Sequence, residues 1–338
     1  MDSLFPRAPL TEHMHQDEGV KILLPDTLPL NPTLPSDVTA VSYTPREPIP
    51  AEHRDAEALV LWGGSGRWQA EAATDLPHLR WVQTLSAGSE VTENAGFAPA
   101  AVVTSGLGLH DVTVAEHALA LILAAARRLD TAVRAADDQR WAKELSLNQP
   151  LDNATSFTIV RGARIVIWGF GGIGQQLAGY LRALGAEVIG VARSTGERNG
   201  FPVITAEELP AVLKTTDVLV NILPASAETA QVVNADLLAH LPAKAWLINV
   251  GRGATVDEDA LVAALKEGTL AGAALDVTAV EPLPAENSLW GAPNLILTPH
   301  SAGGRPLGAD QLIEFNLAAL QANTPLRNVV RERLETER

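Results

Sequence analysis

The six residues GFGGIG, from Gly169 to Gly174, have the spacing of a turn that can hold a pyrophosphate. They follow the apolar stretch ARIVIW and precede GIGQQLAGYLRAL, in which apolar residues recur at helical intervals. In such a strand–turn–helix unit the glycines permit a tight turn, close approach of the phosphates and close packing of helix on strand. The pattern predicts a dinucleotide-binding turn, and a glycine turn without a ligand is the alternative. The predicted cofactor contacts here are Gly169, Gly171, Gly172, Ile173 and Gly174.

The residues after the next predicted strand, Ala192-Arg193-Ser194, are unusual for a ribose site. An Asp or Glu about 20 residues after the glycine turn normally accepts hydrogen bonds from the adenosine ribose. Here a guanidinium and a hydroxyl take its place, and guanidinium groups form strong charge-assisted hydrogen bonds with phosphate. We therefore expect Arg193 and Ser194 to bind a 2′-phosphate, which favours NADP(H) over NAD(H). Thr195 and Arg198 are further candidates, and a solvated Arg193 in a site open to NAD(H) is the alternative.

The composition of the 338-residue chain argues against several classes of protein. A net charge of −15 repels nucleic-acid phosphates and anionic lipid, so neither is expected as a partner. The absence of cysteine excludes disulfides, thiol catalysis and cysteine-ligated metals, and we expect no metal site. The polar start of the chain lacks the apolar core of a signal peptide, and its longest apolar helical run is too short to cross a membrane. We expect a soluble, cytoplasmic protein.

Short apolar runs alternate with helical patterns along the chain, which predicts an α/β fold with parallel sheets. The segment from Val112 to Leu129 is apolar on nearly every face, so we expect a helix buried between layers or at a subunit interface. A second helix is predicted over residues 309–322, and a polar, irregular stretch over 137–162. Strands are predicted near 21–24, 38–43, 58–62, 80–85 and 101–104, and again near 163–168, 187–191, 218–223, 246–250, 271–277 and 294–298.

Five ordered segments resemble the D-isomer-specific 2-hydroxyacid dehydrogenase family: VAEHALALILAAARRL, GFGGIG, LINVGRGATVDEDAL, AALDVTAVEPLP and LTPHSAG. The resemblance extends from about Trp81 to the end of the chain, whereas the first eighty residues match only in pattern. It implies two Rossmann-like or flavodoxin-like domains. The cofactor domain, residues 111–305, would be inserted into a substrate domain built from residues 1–110 and 306–338.

The resemblance implies a catalytic set of Arg252, Glu281 and His300, which are 29 and 19 positions apart. His300 would donate a proton to the substrate carbonyl, because an imidazole titrates near neutral pH. Glu281 would favour the charged imidazolium, and Arg252 would clamp the substrate carboxylate with its planar fork. Taken singly, each has an ordinary alternative: a surface ion pair for Arg252, a loop acid for Glu281 and a turn residue for His300.

The resemblance also implies further contacts. Asp276 would help to position the nicotinamide, and the backbone N–H groups of Ser86, Ala87 and Gly88 would hold the substrate carboxylate together with Arg252 and His300. The remaining predicted cofactor contacts are Leu223, Pro224, Thr229, Val250 and Gly251, with Arg252 and His300 shared between cofactor and substrate.

The implied function is NAD(P)H-dependent reduction of a small 2-oxo acid to a D-2-hydroxy acid, as in glyoxylate/hydroxypyruvate reductases. The family also implies a homodimer. One alternative is a phosphoglycerate dehydrogenase-like enzyme, and another is a corepressor-like interaction protein that senses the nucleotide without turnover.

Four other histidines and one arginine are weaker candidates. A metal site at His13 and His15 has little support, and His117 is expected to pack or to hydrogen-bond on its helix. His110 and Arg305 could face the substrate, or could serve the fold alone.

Overall fold

The computed structural model describes residues 19–147 and 149–332, which form two compact units. One unit consists of the described residues up to Leu107 together with those from Gly308 onward, and the other is Gly108–Leu307. Each unit contains one sheet, of six and eight strands respectively, flanked by helices. The predicted α/β class is confirmed. His13 and His15 lie outside the described residues.

The N-terminal part of the first unit is a parallel sheet in the order β2-β1-β3-β4-β5. Strands β3 (ALVL) and β4 (WVQT) are buried along their whole length. Such burial is typical of parallel strands that are covered on both faces. The elements are β1 Lys21–Pro25, β2 Thr39–Tyr43, β3 Ala58–Leu61, α1 Gly66–Asp75, β4 Trp81–Thr84, α2 Glu90–Glu93 and β5 Val102–Thr104.

The second unit is an eight-stranded sheet in the order β13-β12-β11-β10-β6-β7-β9-β8, parallel except for the β8–β9 hairpin. Its elements are α3 Asp111–Arg127, α4 Leu129–Asp137, β6 Arg164–Trp168, α5 Gly172–Ala183, β7 Glu187–Val191, β8 Gly196–Arg198, β9 Phe201–Ile204, α6 Leu209–Leu213, β10 Val218–Asn221, α7 Ala235–Leu238, β11 Trp246–Asn249, α8 Glu258–Glu267, β12 Gly272–Leu275 and β13 Leu295–Leu297. Every predicted strand of this unit is present, most of them one or two residues shorter.

The chain then returns to the first sheet. Helix α9, Ala309–Ala322, has the predicted bounds, and strand β14, Val329–Arg331, which was not predicted, pairs antiparallel with β5. The fully buried side chain of Asn316 donates to Oε1 of Gln83 at 2.8 Å and accepts from the backbone N–H of Arg327 at 2.7 Å. Thr104 also donates to Oε1 of Gln83, at 2.8 Å. These bonds join the end of the chain to the core of its first hundred residues.

The long apolar helix is shorter than predicted. It ends at Arg127 because Arg128 has a left-handed φ of 50°, and the guanidinium of Arg128 then binds Asp130 at the start of α4. Its small side chains, including Ala115, Ala118 and Ala125, are fully buried and allow close packing on α5 within the core of this unit. One face of the helix is therefore buried within this unit as expected, whereas Val112 and Leu123 on the rest of its surface are 37% and 39% exposed.

Close backbone contacts also shape the core of the second unit. A side chain on Gly190 of β7 would lie 2.4 Å from the ring of Phe170, which covers the strand.

In the part of the chain that the structure describes, no helix is long and apolar enough to span a bilayer.

Candidate active site

Three predicted site residues follow neighbouring strands at the carboxyl edge of the eight-stranded sheet. Arg252 follows β11, Asp276 follows β12 and His300 follows β13, and these strands are consecutive in the sheet. Open α/β sheets place their ligands outside this edge. The parallel strand order therefore gathers side chains that are far apart along the chain.

His300 and Glu281 form a hydrogen-bonded pair. Nδ1 of His300 lies 2.7 Å from Oε2 of Glu281, and Oε1 of the same carboxylate accepts a hydrogen bond from the backbone N–H of Thr278 at 3.0 Å. Because a carboxylate can only accept, this bond places a proton on Nδ1 and leaves Nε2 for another partner. The side chains of His300 and Glu281 are 49% and 36% exposed, so solvent or a ligand can reach them.

An open cavity of about 200 Å³ adjoins this pair. Arg252, Glu281 and His300 all line it, which brings the predicted catalytic set together on one surface. The other lining residues are Gly253, Ala254, Val277, Thr278 and Ala279. A guanidinium and an imidazole on one cavity can hold a carboxylate and move a proton to a neighbouring oxygen.

The loop that carries Arg252 is held by buried side-chain amides. Asn249 accepts from the backbone N–H of Gly251 at 3.0 Å and donates to the carbonyl of Arg252 at 3.2 Å. Asn221, at the end of β10, donates to Asn249 and also to Thr255, which in turn donates to the Arg252 carbonyl at 2.6 Å. The backbone of Arg252 is thus fixed while its side chain remains only half-buried.

The predicted contacts in the loops after β10 and β11 also lie together. Gly251 packs so closely on the loop after β10 that a Cβ there would be 2.6 Å from the carbonyl oxygen of Leu223. Val250 is buried beside it, and Thr229 closes the loop after β10 by donating to the carbonyl of Pro224 at 2.6 Å.

Asp276 organises the loop that carries His300. Its carboxylate is 1% exposed and accepts hydrogen bonds from Oγ1 of Thr298 at 2.6 Å and from the backbone N–H groups of Ser301 and Ala302 at 2.9 and 3.0 Å. Burial alone would raise the pKa of Asp276, but the hydrogen bonds from His117, Thr298 and the two backbone N–H groups outweigh it and lower the pKa to about 2. Asp276 is therefore ionised at neutral pH.

The glycine turn has the geometry that a pyrophosphate requires. Gly169 has a φ of +104°, which only glycine adopts readily, and it begins the turn after β6. Gly171 caps α5, and a Cβ placed there would meet no atom within 4 Å, so the space beside Gly171 is open, whereas a Cβ on Gly172 would lie 1.9 Å from Oδ2 of Asp111. A Cβ at Gly174 would lie 2.6 Å from the carbonyl oxygen of Gly169, so this position needs glycine. Gly172 and Ile173 begin the helix itself.

A second guanidinium lies beside the predicted ribose site. Arg193 and Ser194 are exposed just after β7. Arg198, on the short hairpin strand β8, donates to the carbonyl of Phe170 in the glycine turn at 3.0 Å and to Oγ of Ser194 at 3.1 Å. Arg198 therefore links the predicted phosphate turn to the predicted ribose site. The sequence alone indicated Arg198 only as a further candidate. The polar β8–β9 hairpin that positions it has no periodic pattern of apolar residues from which it could be predicted.

The predicted carboxylate loop belongs to the first unit. Ser86, Ala87 and Gly88 follow β4 and are half-buried. The N–H of Ser86 donates to Oγ1 of Thr84 at 3.2 Å, and the carbonyl of Ser86 accepts from Gly106 at 2.8 Å. The Ser86 amide is thus engaged within the loop, which leaves the amides of Ala87 and Gly88 as the stronger candidates for a ligand.

His117 departs from the sequence-based expectation. Its Nε2 lies 3.0 Å from Oγ1 of Thr298 and 3.2 Å from Oδ1 of Asp276, so its partners are at the ends of β12 and β13 and not on its own helix. No sequence pattern predicts this contact, because 181 residues separate His117 from Thr298. His110 is buried at the start of α3, and Arg305 is exposed. Among the described residues, no group of three or more His, Cys, Asp or Glu side chains could hold a metal ion.

The chain is similar to known proteins over most of its length. Residues 119–302 match the family described as D-isomer specific 2-hydroxyacid dehydrogenase, NAD binding domain. The glyoxylate/hydroxypyruvate reductase A of Serratia proteamaculans (strain 568) is 35% identical over 294 residues, which cover 83% of this chain and 88% of that protein.

Two solved structures are similar over most of the chain. A D-isomer specific 2-hydroxyacid dehydrogenase family protein from Aeromonas salmonicida has a TM-score of 0.77 and 27% identity, covering 93% of this chain and 99% of the other. An NADPH-dependent glyoxylate/hydroxypyruvate reductase from Sinorhizobium meliloti, in complex with NADP and sulfate, has a TM-score of 0.75 and 25% identity, covering 92% and 98%.

From the depressed pKa of Asp276 we predict how the free energy of unfolding depends on pH. Ionised Asp276 stabilises the folded chain above its ordinary pKa of 3.8, and this contribution is lost as the pH falls from about 4 to about 2. We expect Asp276→Asn to lower the free energy of unfolding by roughly 2 kcal/mol more at pH 7 than near pH 2. Urea unfolding of both proteins across this range measures the difference. Asp138→Asn, at an exposed position, is the control, and an Asp276→Asn deficit that is the same at every pH would contradict the assignment.

Proposed function

Because the chain belongs to the D-isomer-specific 2-hydroxyacid dehydrogenase family, we propose that it reduces a small 2-oxo acid, of the glyoxylate or hydroxypyruvate type, to a D-2-hydroxy acid with NADPH. Family membership confirms the predicted class of enzyme, an NAD(P)-dependent oxidoreductase. The observation that carries the proposed reaction is the 2.7 Å bond between His300 and Glu281 on a cavity that Arg252 shares.

His300 acts as the general acid in this proposal. Its Nδ1–H is directed at Glu281, so Nε2 is the atom that delivers a proton to the substrate carbonyl oxygen. The carboxylate of Glu281 accepts the Nδ1–H of His300 and so holds the imidazole ring in one orientation. Arg252 holds the substrate carboxylate through its guanidinium fork, which orients the carbonyl toward His300. The bound nicotinamide supplies the hydride, and the chain's own groups supply orientation and the proton.

The two units have different proposed roles. We propose that Gly108–Leu307 corresponds to the cofactor domain expected over residues 111–305, and that the unit formed by both chain ends is the substrate domain. Within that unit the amides of Ala87 and Gly88 would bind the substrate carboxylate, while Ser86 holds the loop in shape.

The ribose site favours NADP(H). Arg193 and Ser194 are exposed where a 2′-phosphate would lie, Arg198 is hydrogen-bonded to Ser194, and no Asp or Glu occupies the strand end. The open space beside Gly171 fits a pyrophosphate on the N–H groups at the start of α5. The similar reductase from Sinorhizobium meliloti was solved with NADP, which agrees with this choice. Leu223, Pro224, Thr229, Val250 and Gly251 are the proposed contacts along the rest of the cofactor, with Asp276 beside the nicotinamide.

The first experiment is a spectrophotometric assay of NADPH and NADH against glyoxylate, hydroxypyruvate, pyruvate, phenylpyruvate and 3-phosphohydroxypyruvate. We expect turnover with NADPH on one or more of the small 2-oxo acids, and His300→Asn should lower kcat by about 10²- to 10⁴-fold because the proton donor is lost. The control is His240→Asn, at a half-buried histidine near α7. A His300→Asn rate within a few-fold of the wild-type rate would refute the general-acid role. Tight NADPH binding without turnover on any acid would instead favour a nucleotide sensor.

Cofactor preference gives a separate prediction. Arg193→Asp should raise the KM for NADPH by about 10- to 100-fold and lower that for NADH, because a carboxylate repels the 2′-phosphate and accepts from the ribose hydroxyls. Arg161→Asp makes the same change of charge at an exposed position before β6, at the opposite edge of the sheet, and should leave the ratio of the two KM values unchanged. If Arg193→Asp leaves the ratio of the two KM values unchanged, the 2′-phosphate is held by other residues.

A homodimer remains part of the proposal. The exposed apolar side chains of Trp141, Leu147 and Leu151, at 82%, 61% and 101% exposure, could be covered by a second copy. We expect sedimentation analysis to give twice the mass of one chain, and Trp141→Ser with Leu151→Ser to shift the protein toward monomer. A monomeric wild type at assay concentrations would contradict this expectation. A cytoplasmic location also stays a prediction.

A further inference from the structure

We propose that His117 is a positioning residue for the general acid: it fixes the Thr298–Asp276 pair that holds the loop bearing His300. The role of His300 itself rests on the proposed function. The contacts of His117 with Thr298 and Asp276 do not depend on that assignment, because they are hydrogen bonds within the protein itself.

The hydrogen-bond geometry assigns the tautomer of His117. Oγ1 of Thr298 lies 2.6 Å from Oδ1 of Asp276, and since the carboxylate is ionised, the single hydroxyl proton of Thr298 must be donated to it. Oγ1 can then only accept from His117, whose Nε2 lies 3.0 Å away. Nε2 is also 3.2 Å from Oδ1 of Asp276, another acceptor. A proton on Nε2 satisfies both partners, whereas an unprotonated Nε2 would direct a lone pair at a carboxylate.

The loop beyond Asp276 needs such restraint. His300 has a φ of +50°, a left-handed backbone conformation that is uncommon for residues other than glycine. Its backbone N–H donates to the carbonyl of Asp276 at 2.7 Å, while the carboxylate of Asp276 holds the N–H groups of Ser301 and Ala302. The carboxylate therefore sets the backbone immediately after His300, and its own orientation depends on the donors around Oδ1.

Within residues 19–147 and 149–332, His117 supplies the one donor to this carboxylate that comes from outside the strand ends. It lies on α3, which packs in the core of the same unit, and its side chain is 22% exposed. It is not among the residues that line the cavity formed by Arg252, Glu281 and His300. Its effect on the reaction must therefore pass through Thr298 and Asp276. Without it, Thr298 loses its donor, and both groups can rotate away from the loop.

Three variants test this inference in the whole chain. His117→Leu fills similar space without a donor, and we expect kcat to fall by about 10- to 100-fold as the general acid is displaced. His117→Gln restores a donor N–H, and we expect kcat within about threefold of the wild-type value. His240→Leu makes the same change of residue away from the site and is the matched control. The dissociation constant for NADPH, from fluorescence titration, should change less than kcat does in His117→Leu, because the glycine turn and the ribose site are untouched, and should not change in His240→Leu.

A spectroscopic arm does not depend on finding a substrate. In protein labelled with ¹⁵N-histidine, long-range ¹H–¹⁵N spectra should show a protonated Nε2 for His117. In uniformly ¹⁵N-labelled protein, His117→Leu should shift the backbone amide signals of Ser301 and Ala302, and His117→Gln should shift them less. A proton confined to Nδ1 in the wild type, or unchanged loop amides in His117→Leu, would overturn the inference even if the enzyme is active.

The two arms separate the possible failures. If the wild type reduces no 2-oxo acid but the spectra behave as expected, the proposed function fails and the link from His117 to the loop stands. If the wild type is active and His117→Leu keeps its full kcat while its melting temperature matches that of the control, the positioning role is wrong and the proposed function stands.

Discussion

The buried carboxylate of Asp276 is the interaction on which the rest of the site depends. A charge that is 1% exposed must be matched by donors, and here the donors come from the loop after β13 and from helix α3. Satisfying that charge fixes the backbone around His300 in a left-handed conformation. The same set of hydrogen bonds therefore stabilises the fold and positions His300, the proposed proton donor.

In the loop after β11 the same hydrogen bonds likewise serve both stability and the positioning of a side chain. Asn221 and Asn249 are fully buried, and their amides are used on each other, on Thr255 and on the backbone around Arg252. Buried amides that were not satisfied would destabilise the unit, so the network specifies one loop conformation. Arg252 is then presented on the same cavity as His300, with Glu281 supported from behind by Thr278.

Hydrogen bonds also join the two ends of the proposed phosphate site. Arg198 reaches from the β8–β9 hairpin to the carbonyl of Phe170 and to Ser194, so the glycine turn and the ribose position are braced by one guanidinium. In the other unit, Asn316 and Gln83 perform a comparable task by joining helix α9 to the strand that leads into the loop of Ser86. Both units thus place a predicted binding loop next to a polar contact between segments distant in sequence.

Much of this could be predicted from the chain alone, because some signals are local. The period of apolar residues predicted the strands and the bounds of α9, and the glycine spacing predicted the turn after β6. The order of the motifs predicted the family and the set of Arg252, Glu281 and His300. Each of these depends on residues within one turn, one strand or one short motif. No bounds were predicted for the β8–β9 hairpin, β14 or α4, whose short or polar patterns carry little periodic signal.

Only the tertiary structure decided which distant side chains meet. The sequence determined that a His lies on an apolar helix, that an Arg stands five residues beyond Arg193 and that an Asn lies on α9. It could not determine that His117 would face Asp276, that Arg198 would turn back to the glycine loop or that Asn316 would reach Gln83. Hydrogen bonds of this kind depend on the register of strands and the packing of helices, which bring together residues 28 to 233 positions apart, and no local pattern encodes that distance.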